Sequence, residues 1–289
     1  MVLSSFFSTL FALFVKIGVE HIYLPWILFL RFFVPLVFVS LFSLLKRSLL
    51  KEISFKDTGK HAIRSLAVVI SQLSLLYYFT KGSLTNGVML WNTAPMFVPI
   101  ITYILFRQKT SAVVWFSLFV SFAGVLLVLK PTNDVFDPFI IFGFISGFSL
   151  SISQVLNGMH KETDTLMNNV FLFFFNASVL TGILLLCFLG IGGFHKEFLI
   201  TSDHTMLYKG LIILFIGIGS AMNQVLRGVA FTFARPDALS PFIYLSVVFS
   251  AIIDYILHPG TIHGFLFILG IALILVGTLI PLVYTKQLP

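Results

Sequence analysis

Long apolar runs separated by short polar corners set the rhythm of this chain. Ten runs are legible: Val2–Gly18, Leu24–Leu45, Ala62–Lys81, Leu84–Phe106, Ser111–Leu129, Pro138–Met159, Met167–Gly190, Met206–Phe233, Asp237–Leu257 and Thr261–Val283. Each approaches or exceeds the roughly 20 residues with which a helix crosses a hydrocarbon core about 30 Å thick. The runs are continuous, without apolar/polar alternation at period two, which favours helices over barrel strands. The rhythm also repeats. Tyr103-Ile104-Leu105 returns as Tyr255-Ile256-Leu257, and Arg235-Pro236-Asp237 stands near the place of a second copy of the Lys81–Gly87 break. Gly270 and Gly277 space the last run before Pro281, as Gly124 spaces the fifth before Pro131. Pro131, Asn133, Asp134 and Asp137 form the best internal boundary. The pattern predicts an all-α integral membrane protein of ten transmembrane helices. Residues 1–131 and 138–289 would be two five-helix repeats of a single membrane domain. Five is odd, so the repeats would lie in opposite orientations.

Composition agrees about the solvent. With 58% hydrophobic residues, 10% charged residues and a mean hydropathy of +1.04, no soluble fold could hide this much apolar surface. The first run lacks a small-residue cleavage site followed by a polar mature domain, so it reads as a retained helix. Ser5, Thr9, Ala12 and Lys16 mark one polar face of it at near-helical spacing. Cys187 is the single cysteine, which leaves no intrachain disulfide and no cysteine-built metal site.

Charge orients the chain. Lys46, Arg47, Lys51, Lys56, Lys60 and Arg64 form the most basic patch, and such a patch stays on the cytoplasmic side. Arg107, Lys109, Lys161, Arg235 and Lys286 fall on that same side if ten spans are threaded in order. Only Lys16, Lys81, Lys130, Lys196 and Lys209 fall on the other, and Arg31 and Arg227 lie inside spans. Both termini are therefore expected in the cytoplasm. The net charge of +7 does not mark a nucleic-acid binder, because no aromatic interleaving or fold signature accompanies the basic loop.

Candidate chemistry sits within the spans. Ser146, Ser149, Ser153 and Asn157 recur at helical spacing in the sixth run with Gln154 beside them. The eighth carries Ser220, Asn223, Gln224 and Arg227. Unpaired amides in hydrocarbon cost several kcal/mol, so these faces meet other helices or line a wet cavity. Gln72 and Tyr78 in the third run, Trp91 and Asn92 in the fourth, Asn176 in the seventh and Tyr244 in the ninth are further substrate-binding candidates. Trp91 also suits an interfacial aromatic belt, and Arg31 and Arg227 also suit snorkelling to the headgroups. Gly143 and Gly147 form a GxxxG pair that reads as close packing. Asp254, the one acidic residue within a span, is the candidate for carrying a coupling proton. No intramembrane carboxylate pair, no H-E-x-x-H and no G-x-x-x-x-G-K-[ST] loop is present, so no catalytic residue, metal site or cofactor is expected.

Lys16 closing the first helix, Arg31 in the second, Pro95 in the fourth and Gly124-Val125-Leu126-Leu127 in the fifth appear together in order, with a late echo around Gly270 and Gly277. In this the chain resembles the EamA-type ten-helix carriers of the drug/metabolite transporter superfamily. Gln108 and His258-Pro259 stand where such carriers commonly have an acidic residue and a Gly-Glu pair. The resemblance implies a secondary transporter, not an enzyme, working by alternating access in a bacterial inner membrane. The cargo expected is a small polar or amphipathic organic metabolite such as an amino acid, a nucleoside or an S-adenosylmethionine-like compound. Inverted repeats of this kind place the solute site near the midplane, beside broken helices, for which Pro95, Pro99 and Pro241 are candidates. The alternative is an intramembrane enzyme acting on lipids. Expected partners are the solute and the bilayer, with no nucleic acid and with a homo-oligomer left open.

The charge asymmetry makes a direct prediction. With Cys187 replaced, single cysteines at Lys56 and His204 are expected to react with impermeant thiol reagents from the cytoplasmic and the opposite side respectively. Reversed labelling would invert the orientation.

Overall fold

The computed structural model describes residues 1–19, 21–46, 52–55, 58–79, 81, 84–130, 138–159, 165–190, 206–257 and 264–285. Outside them lie Glu20, Arg47, Lys51, Lys56, the boundary residues Pro131, Asn133, Asp134 and Asp137, and Lys161 with Glu162. His195, Lys196, Glu197, Asp203, His204, His258, Pro259 and Lys286 also lie outside.

The described chain is helical throughout, with no strand among the described residues. Without water to bond exposed N–H and C=O groups, a single segment in hydrocarbon satisfies its backbone only as a helix. The helices are α1 (Val2–Val19), α2 (Leu24–Leu45), α3 (Thr58–Phe79), α4 (Leu84–Trp91), α5 (Ala94–Phe106), α6 (Ala112–Leu129), α7 (Ile140–Met159) and α8 (Leu166–Gly190). Then follow α9 (Met206–Phe233), the short α10 (Pro236–Leu239), a 3-10 turn (Ser240–Tyr244), α11 (Leu245–Leu257) and α12 (Phe265–Thr285). Among the described residues, eight helical stretches are long and apolar enough to cross a membrane, α4–α5 and α10–α11 each counting as one. Val2–Gly18 and Phe265–Pro281 are shorter apolar helices.

Three boundaries differ from the pattern of apolar runs. α3 begins at Thr58, four residues before its apolar run, because a helix continues through a polar turn once its apolar face is anchored. Arg64, which the charge pattern groups with the basic loop although the third apolar run already reaches it, sits inside α3. The fourth run is broken between Trp91 and Ala94. Pro95 has no N–H to offer Trp91, four residues earlier. Beside the break, side chains add to the backbone bonds: Thr93 Oγ1 donates to Leu90 O at 2.6 Å and Asn92 Nδ2 to Val88 O at 2.8 Å, carbonyls that Thr93 N and Asn92 N also reach. The ninth run is interrupted in the same manner by the 3-10 turn that contains Pro241. Pro99, by contrast, lies within continuous helix.

The helices pair as α1 with α9, α2 with α8, α3 with α7 and with α8, α2 with α9, α5 with α7, α1 with α11, and α6 with α12. Large apolar side chains such as Leu41, Phe42, Phe116 and Leu186 stay exposed on the outer faces, where lipid is the natural solvent. Glycines set two of the closest approaches. A Cβ on Gly147 of α7 would stand 2.8 Å from Leu90 O and 2.4 Å from Thr93 Oγ1, so α7 presses directly on the α4–α5 break. At the α6–α12 seam, a Cβ on Gly124 would meet Gly270 O at 2.5 Å, and Ser117 Oγ donates to Gly277 O at 2.6 Å.

Gly124→Val is therefore expected to force α6 from α12, because the obstructing atoms are backbone and cannot rotate away. Overpacking of this kind costs about 1–3 kcal/mol. The detergent-purified variant should melt several degrees lower, while Gly210→Ala, with nothing within 4 Å, should not. An unchanged Tm for Gly124→Val would show that the seam is looser than this geometry.

Candidate functional site

Where α1, α2, α3, α7, α8 and α9 face the α4–α5 break and the 3-10 turn, a cavity opens among them. Both interrupted helices reach it: Trp91, Asn92, Ala94 and Pro95 come from the first break, Ile243 and Ser246 from the second. A helix break leaves backbone groups without ladder partners, and in a membrane such irregular backbone persists only inside protein or against a polar cavity.

Eight of the residues that the sequence nominates line this one space. They are Trp91 and Asn92, Ser153, Gln154 and Asn157 of α7, and Asn223, Gln224 and Arg227 of α9. Ser220 lines it too. The polar stripe of α7 divides by role. Ser146 Oγ lies 3.2 Å from Ser71 Oγ and joins α7 to α3, whereas Ser153, Gln154 and Asn157 face the cavity. Both amide atoms of Gln154, Asn157 Oδ1 and Trp91 Nε1 are buried without a partner among the described residues.

The other nominations fall elsewhere. Gln72 stands behind the lining and accepts a 2.6 Å hydrogen bond from Arg31 Nη1. Tyr78 packs with Met89 and Leu90. Asn176 donates its amide to Leu172 O of its own helix at 2.8 Å. Tyr244 is fully buried in the cluster around Val114, Leu118 and Ile274. Asp254 lies on the exposed side of α11 and is not among the lining residues. Among the described residues no group of His, Cys, Asp or Glu could hold a metal ion.

Three arginines face the cavity, from three different helices. Arg31 stacks its guanidinium 4.2 Å from the Phe11 ring centre and 5.2 Å from that of Phe32, besides its bond to Gln72. Arg64 lies 4.2 Å over Phe173 and donates to Asn169 Oδ1. Arg227 Nη2 donates to Asn223 Oδ1 at 3.3 Å, an oxygen that Ser4 Oγ also reaches at 2.7 Å. Arg64 was hidden in sequence by its neighbours, since six basic residues in a row of loop-like sequence read as one solvated patch. The signal that could have found it is its spacing to Val68 and Gln72, four residues apart on one helical face. Ser8 and Phe11 of α1 also line the space; Ser5 and Thr9, on the adjoining face, donate instead to Phe242 O and Ser246 O.

Comparison with known proteins fits this arrangement. Residues 1–130 match the EamA-like transporter family. A protein named "S-adenosylmethionine uptake transporter" from Rickettsia felis is 22% identical over 225 residues, covering 75% of this chain and 71% of the relative. Its namesake from Rickettsia prowazekii is 23% identical with the same coverage. An "Uncharacterized transporter" of Helicobacter pylori strain 26695 is 24% identical over 78% of this chain and 75% of the relative. One crystal structure superposes with a TM-score of 0.78 over 98% of this chain and 96% of that one, at 11% identity, which speaks for the fold alone.

A lysine at position 227 would keep the charge but lose the planar fork that holds Asn223 with one nitrogen while offering others to the cavity. Arg227→Lys is expected to fold and insert normally yet lower uptake by about tenfold or more, hitting anionic and zwitterionic solutes harder than neutral ones. Proteoliposome uptake at matched reconstitution measures this. An equal loss across solute charges would return Arg227 to a structural role.

Proposed function

We propose that this chain, an EamA-type carrier of the drug/metabolite transporter superfamily, moves a small polar or amphipathic organic metabolite across a bacterial inner membrane by alternating access. The observation that carries the reading is the cavity itself. Two interrupted helices, one from each half of the chain, meet a space lined by arginines and by the amides of Gln154 and Asn157, whose buried atoms include ones with no partner among the described residues. S-adenosylmethionine, the cargo in the names of the Rickettsia relatives, is the first candidate, with amino acids and nucleosides beside it.

The ten-span, two-repeat reading has support in the pairing of helices. Suppose α1, α2, α3, α4–α5 and α6 correspond in order to α7, α8, α9, α10–α11 and α12. Exchanging the halves then turns the α1–α9 pair into α7–α3, α3–α8 into α9–α2, and α5–α7 into α11–α1, while α2–α8 and α6–α12 map onto themselves. Every one of these pairs is formed. With five spans each, repeats 1–131 and 138–289 would be inverted, the solute site would lie between them, and both termini would be cytoplasmic. The lipid-enzyme alternative has no comparable support, since the matched family and relatives are transporters.

The test is uptake of radiolabelled S-adenosylmethionine, amino acids and nucleosides by purified protein in liposomes. Saturable uptake of at least one, accelerated by the same solute preloaded inside, is expected. Rates equal to protein-free liposomes across the panel would sink the reading.

A further inference from the structure

The carrier reading leaves the cargo's chemistry open, and the arginines narrow it. Three guanidinium groups, those of Arg31, Arg64 and Arg227, face one cavity, and no carboxylate is among its described lining residues. Among the described residues the partners of Arg31 and Arg227 are neutral: the amides of Gln72 and Asn223 and the rings of Phe11 and Phe32. Such partners aim a guanidinium without cancelling its charge. Each guanidinium carries five N–H donors. Arg31 Nε and Arg227 Nε are buried with no acceptor among the described residues. A buried cation without a counter-charge is costly, and one whose donors are also unmet is more so.

Snorkelling does not relieve this for Arg31 or Arg227, because both line the interior cavity and both leave Nε buried there. The buried carboxylate of Asp237 does not relieve it either. That residue is outside the lining, and its Oδ2 is taken by Thr110 Oγ1 at 2.7 Å and Arg235 Nη2 at 3.0 Å. Among the described residues, no carboxylate of the cavity lining is left to meet Arg31 and Arg227.

We propose that the cavity recognises its cargo through an oxyanion, a carboxylate or a phosphoryl group, presented to Arg31 and Arg227. This rests on the carrier reading and sharpens it. Guanidinium forks match both oxyanions in geometry, and charge-assisted bonds of this kind are about twice as strong as neutral ones. The rest of the cargo meets Trp91 and the two unpartnered amide atoms of Gln154, which suit a flat, polar ring system. A free nucleoside, with no acidic group, leaves the arginines as they were and is a poor cargo. S-adenosylmethionine and amino acids are held by the α-carboxylate, and nucleotides by phosphate.

Two matched pairs of probes separate the possibilities: S-adenosylmethionine against decarboxylated S-adenosylmethionine, and AMP against adenosine. Binding is read by thermal stabilisation of the detergent-purified carrier, and transport by competition and uptake in proteoliposomes. In at least one pair the anionic member is expected to bind about tenfold or more tightly than its partner. The pair that shows it names the oxyanion, and Arg31→Gln should erase most of the difference while Arg31→Lys keeps part of it. Equal affinity within both pairs, or no binding by either anionic member, overturns the proposal even if some solute is still carried. Tight anionic binding without uptake keeps the oxyanion site and removes the carrier reading instead.

Discussion

Hydrocarbon offers no hydrogen bonds, and nearly every feature of this molecule follows from that one constraint. It makes each apolar run a helix, because only a helix satisfies its backbone within a single segment. It also decides what happens where a helix cannot continue. Pro95 denies Trp91 its ladder partner, and beside that break Thr93 and Asn92 turn their side chains onto the carbonyls of Leu90 and Val88, which backbone N–H groups also reach. The interruption is then covered on one side by Gly147, the one residue type that lets α7 lie against it, and on the other by the cavity. The polar residues of α7 and α9 obey the same rule. They bond a neighbouring helix, as Ser146 does, bond their own backbone, as Ser151 and Thr232 do, or face the shared interior.

Much of this was legible in the sequence because the relevant signals are periodic or local. Membrane-length apolar runs predicted the helices, and prolines predicted the interruption at Pro95 and that near Pro241. Helical spacing put Ser153 with Asn157, and Ser220 with Asn223 and Arg227, on common faces, and these residues do converge. What periodicity cannot supply is the rotation of one helix relative to another. Tyr78, Asn176 and Tyr244 are polar residues within spans, as the cavity residues are, yet each is turned into packing or onto its own backbone. Pro95 sits in the first turn of its helix, where a missing N–H costs little, whereas Pro99 lies one turn further in and the helix continues through it. Arg64 was misread for a different reason. Charge density in a window reports the average environment of its members, and Arg64 is buried while Lys46 and Lys60 are exposed.

The arginines also show how a membrane protein holds charge without neutralising it. Aromatic faces and amide oxygens fix the direction of the Arg31 guanidinium, and an amide oxygen that of Arg227, and leave their charge available. Asn223 is the most economical of these supports. Its side-chain oxygen receives Arg227 of its own helix and Ser4 of α1, so a single amide fastens two helices and aims a cation.

The sequence separations of these supports bear on how the chain can be threaded into a bilayer during synthesis. An arginine at mid-span adds about 2.5–3.5 kcal/mol to the insertion of a helix emerging alone. Arg31 is met by Phe11, which has already been made, and by Gln72, which follows within one further helix. Arg227 finds Asn223 one turn away on the same segment. Arg64 meets Asn169 and Phe173, which lie more than a hundred residues downstream. It is also the one of the three placed in the second turn of its helix, where the nascent chain can keep the guanidinium among lipid headgroups until α8 arrives. Each charge thus stands either beside an early partner or within reach of water, and the ribosome can deliver the helices in order without stranding a cation in oil.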